Sequence, residues 1–265
     1  MEVRFQYLRP EELRARREEC PVAYVPLGTL EWHGLHNPMG ADGLQAEEIA
    51  LRCASAGGVA FPSVYYGESR AGSLLETDPE YQEGIGKRLG IDSTLLREER
   101  FPFSGMEQIR HYQQHLIHIM AEAASYGFLL VVFVVGHYPL VDHARSAVLS
   151  YNQWAYDKKW RRIAGMALAD FLLLRGKYDP AGDHAGGWET SHLLASHPQT
   201  VDLSLAVPEL EYGVMSQLRP ENATAQFGEE IYEAAVKEIL KRVEDWRRNP
   251  EKYMSHGMLL GEEMS

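Results

Sequence analysis

Residues 128–137 read FLLVVFVVGH, and this apolar run is the strongest indication of the fold class. All residues from Phe128 to Val135 are apolar, which is the pattern of a strand covered on both faces in a parallel sheet. Gly136 ends the run, and His137 follows directly after the strand. Because such a strand needs parallel neighbours and helical covers, the surrounding sequence is expected to alternate strands with helices.

That alternation is present on both sides of the run. Two further strands are predicted upstream, at Val22 to Leu27 and Val59 to Tyr66, with a helical pattern between them that begins after Asp42. A second helical stripe, from Phe103 to about Tyr126, leads into the central run. The other predicted elements are helices at Ala144 to Ala155, Lys158 to Arg175, Trp188 to Ser196 and Gly228 to Arg247, and an extra strand at Val201 to Ala206.

These elements predict an α/β fold with a mainly parallel central sheet covered by helices, in a single domain over residues 1–265. Ligands of such sheets bind outside the carboxyl ends of the strands. The stretch from Gly67 to Pro102, with clusters of glycine, proline and charged residues, is interpreted as an irregular excursion without a domain of its own.

Composition favours a small-molecule partner. The chain has 38 acidic and 26 basic residues and a formal net charge of -12, so it should repel a nucleic-acid backbone. The first residues lack the apolar core of a signal peptide, and the longest apolar run is too short to cross a bilayer, which predicts a cytoplasmic protein. The two cysteines, Cys20 and Cys53, form no metal-binding spacing, so any metal site must use histidine and carboxylate.

Residues 31–42, EWHGLHNPMGAD, carry the ligand types of a metal site just after the first predicted strand. If the chain stays extended, Glu31 and His33 point to the same side and Trp32 to the other. Carboxylate beside neutral imidazole suits zinc, manganese or ferrous iron, and Asp42 could add an oxygen that bridges two ions. The same residue types also occur in ordinary polar loops and helix caps.

Two later segments carry residues of the same chemistry. His137 follows the central strand and should reach the same rim as Glu31, and Pro139 should keep that loop extended. In residues 183–191, DHAGGWETS, glycines allow a close backbone approach, and Glu189 lies in the first turn of a predicted helix. A glutamate at a helix N-terminus is also favoured by the helix dipole alone.

A separate group of histidines lies on one predicted helix. His111, His115 and His118 are spaced by one turn, and two histidines at that spacing can bind zinc. They lie away from the apolar stripe of the helix, so the interpretation is a solvated or interface face.

Taken together, three segments resemble the creatininase (creatinine amidohydrolase) family. They are Pro26 to Pro38 with Asp42, Gly136 to Tyr138, and His184 to Gly186 with Glu189 to Ser191. The resemblance implies a three-layer α/β/α sandwich, two divalent metal ions, hydrolysis of a C–N amide bond that is often part of a ring, and a homo-oligomer, commonly a hexamer.

The resemblance also implies a ligand set. Glu31, Asp42 and His137 would hold one ion, and His33, the shared Asp42 and a further carboxylate would hold the other. Creatininase has a glutamate two residues after the histidine that corresponds to His137, whereas this chain has Pro139 there. Glu189 is the substitute that the sequence offers.

The leading functional hypothesis is a binuclear amidohydrolase, with zinc as the first metal to test, that uses a hydroxide bridging the two ions on a cyclic amide or formamide-type small molecule. His184 is the candidate for donating a proton to the leaving nitrogen, and Glu189 is the second catalytic candidate. Trp188 or Tyr138 could stack on a planar ring, and His36 could orient a ligand. The rival hypotheses are an oxidoreductase or isomerase with one ion held by two histidines and a carboxylate, and a non-catalytic metal-binding relative.

Overall fold

The computed structural model describes residues 2–70, 74–208 and 212–253. Four strands are β1 (Val22–Leu27), β2 (Val59–Ala60), β3 (Leu130–Val135) and β4 (Ala164–Leu168). Eight α-helices are described: α1 (Pro10–Glu19), α2 (Ala41–Ala56), α3 (Gln82–Leu89), α4 (Gly105–Ser125), α5 (Leu140–Asp157), α6 (Asp170–Leu174), α7 (Gly187–Ser196) and α8 (Ala225–Arg248). Short 3-10 helices include Leu75–Thr77, Ser93–Leu96 and Leu203–Leu205.

The described strands form one parallel sheet in the order β2-β1-β3-β4. In the centre, β1 and β3 pair over their whole length, from Val22 beside Leu130 to Leu27 beside Val135. The two strands therefore end level with each other. The loops that follow them, which carry the candidate ligands, leave from one rim of the sheet.

Each face of the sheet is covered by its own layer of helices. Alternate residues of β1 and β3, such as Tyr24 and Val132, pack with α2, α7 and α8 in one core. The residues between them, such as Val25 and Phe133, pack with α4 and α5 in a second core. Strands buried on both faces explain the continuous apolar runs in the sequence, and the predicted α/β/α architecture is confirmed.

At the two edges of the sheet, one predicted element is wrong and another is shorter than predicted. The helix predicted from Lys158 to Arg175 is instead the strand β4 followed by the short helix α6. Gly165 lets α5 pack closely on this strand, since a Cβ there would lie 2.5 Å from a methyl group of Val148. The strand predicted from Val59 to Tyr66 is a continuous strand only at Val59–Ala60, and Val64 pairs again with Leu27 as an isolated bridge. Pro62, which has no N–H to donate, lies between these two pairings.

Two further predictions fail at turns. The strand predicted from Val201 to Ala206 contains a 3-10 helix, in which the Asp202 carboxylate accepts the Ser204 N–H at 3.0 Å. Tyr138 and Pro139 were expected to be extended but form a turn, and α5 begins at the next residue, Leu140. Proline is favoured at helix starts because it has no N–H to leave unpaired.

Two glycines let the start of α2 sit directly on the strand ends. A Cβ at Gly28 would lie 2.3 Å from the Cα of Gly43, and a Cβ at Gly136 would lie 2.0 Å from the carbonyl oxygen of Asp42. Both contacts are with backbone atoms, which cannot move away by a change of rotamer. This close approach places the Asp42 side chain at the rim between β1 and β3.

Gly136→Ala is therefore expected to destabilise the fold by roughly 1–3 kcal/mol, the usual cost of overpacking. Denaturant unfolding of the metal-free chain measures this change in the free energy of unfolding. The matched control is Gly40→Ala, since Gly40 has a φ of -102° and a Cβ there would lie 3.4 Å from its nearest neighbour, the ring of Tyr65, which is an ordinary contact. A fully stable Gly136→Ala variant would contradict the close approach of α2 to the strand ends.

The excursion between β2 and α4 is more ordered than the sequence predicted. It contains the 3-10 helix Leu75–Thr77 and the helix α3, and its residues Leu75 and Ile85 pack with Trp32 in a separate apolar cluster. Trp32 lies between the candidate ligands Glu31 and His33. The excursion is therefore packed against the candidate site. Among the described helices, none combines the length and apolar character needed to cross a bilayer.

Candidate metal centre

The structure brings together all five residues that the sequence predicted as ligands. Glu31, His33, Asp42, His137 and Glu189 are buried at the rim of the sheet. Their ligand-type atoms form two groups, each within 4.8 Å: Glu31 with Asp42 and His137, and His33 with Asp42 and Glu189. Asp42 belongs to both groups.

In the first group, His137 faces two carboxylates. Its Nδ1 lies 3.2 Å from Glu31 Oε2 and 3.4 Å from Asp42 Oδ2. His137 is the second residue after β3, and Asp42 is the second residue of α2. These residues lie close together because β1 and β3 end level with each other and because α2 packs directly on Gly28 and Gly136.

The second group uses the other oxygen of Asp42. His33 Nε2 lies 3.1 Å from Asp42 Oδ1 and 3.4 Å from Glu189 Oε2. His33 Nδ1 lies 3.1 Å from the carbonyl oxygen of Glu31, which fixes the ring. One Asp42 oxygen therefore faces each group, as a bridging ligand would.

The donor set fits divalent metal ions. Glu31 Oε2 and Asp42 Oδ2 are buried and make no hydrogen bond to the described residues. A buried carboxylate oxygen without such a bond is costly, and a coordinated cation removes that cost. Carboxylate and imidazole together suit zinc, manganese and ferrous iron.

The imidazoles and carboxylates shift one another's pKa values. Burial opposes the charged form of His33, but Asp42 and Glu189 outweigh it and raise the pKa of His33 to about 10. The pKa of His137 is raised in the same way by Asp42 and Glu31. Burial raises the pKa of Glu189, whereas His33 and His137 hold the pKa of Asp42 below its usual range despite burial. A metal ion would bind here by displacing protons.

His184 lies beside the second group. Its ring centroid is 4.4 Å from that of His33, and its Nε2 lies 2.7 Å from the carbonyl oxygen of Trp32. A carbonyl oxygen only accepts, so Nε2 carries the proton and Nδ1 is the basic nitrogen. His184 also forms a third candidate ligand group with Glu31 and His33.

The surroundings of His184 shift its pKa away from the ordinary value that the sequence alone predicts. An ordinary histidine pKa near neutrality was expected. Burial, with the charge of His33, instead lowers the pKa of His184 to about 4. The ring is neutral at neutral pH, so it can accept a proton before it donates one.

A residue that sequence reasoning missed holds the start of α7. The Asp183 carboxylate accepts the N–H groups of Trp188 at 2.8 Å and Glu189 at 3.2 Å. Glu189 Oε2 accepts the N–H of Ala185 at 2.8 Å. Asp183 lies four residues before the first residue of α7, and the N-cap position itself is Gly186, so the usual capping signal does not identify Asp183 from the sequence.

A cavity of about 530 Å³ opens beside the cluster. Its lining includes His184 and four candidate ligands, and two aromatic side chains at its wall, Tyr138 and Phe171, lie with their ring centroids 5.9 Å apart. Tyr138 is 60% exposed and available to a ligand, whereas Trp188 is 1% exposed and donates its Nε1 hydrogen to Asp170 at 2.8 Å. Of the two predicted stacking residues, only Tyr138 has a free ring surface.

The remaining histidines are placed as follows. His36 is buried, and its Nε2 lies 2.9 Å from the carbonyl oxygen of Ala185, so it contacts the loop that carries His184. His111, His115 and His118 lie on the exposed face of α4. None of these three histidines belongs to a candidate ligand group within residues 2–70, 74–208 and 212–253.

Carboxylates and imidazoles gathered at the carboxyl rim of a parallel, helix-covered sheet are the donor set and the position expected of a metal-dependent enzyme. The family model for creatininase, described as creatinine amidohydrolase, matches residues 6–77 and 90–243. Because the match spans most of the chain, the chain belongs to the creatininase family, whose members are hydrolases of non-peptide C–N bonds. The resemblance found in the sequence is confirmed.

Solved structures show the same fold. A manganese form of creatininase is 21% identical, with 94% of this chain and 99% of that chain covered and a TM-score of 0.70. A creatininase variant of Zn-Zn type is 20% identical, with 94% and 98% covered and a TM-score of 0.71. A variant complexed with creatine is 20% identical, with 92% and 98% covered and a TM-score of 0.70. No curated protein sequence gave a match.

Proposed function

We propose that this protein is a binuclear metal-dependent amidohydrolase that cleaves a C–N bond of a small cyclic amide or related molecule. The observation that carries the proposal is the position of Asp42, whose two oxygens face two separate groups of ligand-type atoms. Glu31 and His137 complete one group, and His33 and Glu189 complete the other. Zinc and manganese are the first ions to test, because related structures of this fold hold them.

The residues of the chain supply the rest of the chemistry. Divalent ions bound in the two groups would lower the pKa of a water molecule and polarise an amide carbonyl. The positions of the two ions would be fixed by the candidate ligands on either side of Asp42, which are Glu31 and His137 in one group and His33 and Glu189 in the other. These side chains are buried, so bulk water is excluded from the ions. Tyr138 at the wall of the cavity offers a flat surface to a planar ring.

His184 is the proposed proton carrier. It is neutral at neutral pH, so its Nδ1 can take a proton from the attacking water and pass it to the leaving nitrogen. The contact of Nε2 with the Trp32 carbonyl holds the ring in one orientation and stabilises the imidazolium that forms. Glu189, with a raised pKa, is the second proposed catalytic group.

Reconstitution followed by a substrate screen tests the proposal. The chain is stripped with chelator, reloaded with Zn²⁺ or Mn²⁺, and assayed for hydrolysis of creatinine, other cyclic amides and formamide-bearing heterocycles. We expect two ions per chain and metal-dependent hydrolysis of at least one of these compounds. One ion per chain would favour the oxidoreductase or isomerase alternative, and two ions without turnover of any amide would favour a non-catalytic relative.

Metal affinity is expected to rise with pH. His33 has a pKa of about 10 and therefore holds a proton at neutral pH that an ion must displace. Affinity should rise by up to about tenfold per pH unit for each displaced proton between about pH 6 and pH 8, and this contribution should end above about pH 10. Calorimetric titration in two buffers of different ionisation enthalpy measures the protons released. Binding without proton release would contradict the placement of His33.

We also propose that the protein forms a homo-oligomer, which the family resemblance suggests is a hexamer. A cytoplasmic location is proposed as well. Exposed aromatic residues near the end of α5, Trp154, Tyr156 and Trp160, offer a surface for subunit contact. Sedimentation of the metal-loaded protein measures the number of subunits, and a monomer would contradict the assembly.

A further inference from the structure

Two buried glutamates, Glu31 and Glu76, are linked by a reciprocal pair of hydrogen bonds. Each side chain accepts the backbone N–H of a residue next to the other glutamate. The N–H of Leu75 donates to Glu31 Oε1 at 2.7 Å, and the N–H of Trp32 donates to Glu76 Oε2 at 3.1 Å. Glu31 is 3% exposed and Glu76 is 2% exposed. This reciprocal pair of hydrogen bonds ties the ligand loop after β1 to the 3-10 helix Leu75–Thr77.

The second oxygen of Glu76 is also engaged. Glu76 Oε1 lies 3.2 Å from Arg70 Nη1, which balances the buried negative charge. Arg70 is itself placed by its backbone N–H, which donates to Gln108 Oε1 at 2.9 Å on α4, and its guanidinium lies 5.5 Å from the ring centroid of Phe101. Glu76 is thus fixed from two sides, towards α4 and towards the ligand loop.

The reciprocal pair decides which oxygen of Glu31 faces the metal group. Because Leu75 occupies Oε1, the free oxygen is Oε2, and this atom lies 3.2 Å from His137 Nδ1. A hydrogen bond to one carboxylate oxygen orients the other as a single-oxygen ligand, in the way that outer contacts orient metal ligands. The second group, which contains His33 and Glu189, receives no such contact from Glu76.

A segment outside the family match covers the reciprocal pair. Residues 78–89 lie between the two matched stretches, and they include α3. Ile85 of α3 is fully buried against Trp32 and Leu75. Gly84 packs on Tyr212, whose carbonyl oxygen accepts the Trp32 Nε1 hydrogen at 2.7 Å. This cover keeps water from the two hydrogen bonds and strengthens them.

From this arrangement we infer that Glu76 is a positioning residue for Glu31 and so controls one of the two metal positions. It holds the Trp32 backbone, and the same contact keeps the Leu75 N–H on Glu31. Loss of the Glu76 side chain should release Glu31 while the group of His33, Asp42 and Glu189 stays in place. The inference rests on the proposed binuclear function, since it concerns the position that Glu31 shares with Asp42 and His137.

The test is a Zn²⁺ titration of the full chain in competition with a chelator, which resolves two binding steps. Glu76→Ala is expected to weaken one step by roughly 10- to 100-fold, the usual effect of losing an outer contact to a ligand, and to leave the other unchanged. Glu76→Gln keeps an acceptor for the Trp32 N–H and should restore most of the affinity. Leu96→Ala is the control, because Leu96 is a buried residue of the same excursion that lies outside the cluster formed by Trp32, Leu75 and Ile85.

A purely structural role for Glu76 predicts a different result. Both metal-binding steps would then weaken together, or neither would weaken, and the same is expected of the Leu96→Ala control. Either outcome would overturn the inference. If Glu76→Ala does not fold, Glu76→Asp takes its place in the same titration, because its shorter side chain draws the carboxylate away from the Trp32 N–H. Weakening of one step alone is again the expected result, and weakening of both steps or of neither is the contradiction. A wild-type chain that binds fewer than two ions would instead contradict the proposed function, which keeps the two failures distinct.

Discussion

Asp42→Asn is expected to abolish hydrolysis and to leave less than one tightly bound divalent ion per chain. Asp42 Oδ1 lies 3.1 Å from His33 Nε2, and Oδ2 lies 3.4 Å from His137 Nδ1, so one carboxylate serves both candidate metal positions. Asparagine keeps the shape of the side chain but removes its charge and presents N–H groups to one of the two positions. Elemental analysis after reconstitution, together with an activity assay, measures both losses.

The matched control for this variant is Asp78→Asn. Asp78 also lines the cavity, but it belongs to no ligand group among the described residues. We expect this variant to keep two ions. Retention of two tightly held ions by Asp42→Asn would refute the bridging role, and loss of one ion only would assign Asp42 to a single position.

His184→Ala is expected to slow turnover by roughly 10²- to 10⁴-fold, the usual range for the loss of a general acid or base, with two ions still bound. The neutral ring of His184 contacts the Trp32 carbonyl and stacks beside His33, so its removal leaves the two ligand groups that share Asp42 intact. Single-turnover kinetics and metal analysis on the same preparation separate the two effects.

The outcome for His184 also decides between two roles. His184 forms a third candidate group with Glu31 and His33, so an equal loss of metal and activity would make it a ligand. His115→Ala, which removes an exposed histidine from α4, is the control for a general effect of losing an imidazole. We expect that variant to match the wild type in both measurements.

The sequence predicted the central sheet because the strands obey one simple rule. Val22 to Leu27 and Leu130 to Val135 are buried on both faces, so every residue in them is apolar, apart from the Tyr24 hydroxyl. Because both strands end at the same rim of a parallel sheet, the sequence also predicts that Glu31 and His137 lie close together. The sequence does not predict strand β4, because its alanine and glycine residues have no preference for strands. It is a strand because it pairs with β3.

The candidate site was predicted only in part, for a physical reason. Ligands that follow a strand or begin a helix, such as His33, Asp42 and Glu189, have local signals in the sequence. The contacts that orient them do not, since Leu75 reaches Glu31 through a backbone N–H that any residue type could offer. The lowered pKa of His184 likewise arises from burial and from His33, which are set by tertiary structure.

A crystal structure of the manganese- or zinc-loaded protein, with anomalous diffraction measured at the metal edge, would locate the bound ions and their ligands. We expect two peaks, the first in contact with Glu31, Asp42 and His137 and the second in contact with His33, Asp42 and Glu189. A single peak, or two peaks that share no ligand at Asp42, would contradict the proposed binuclear site.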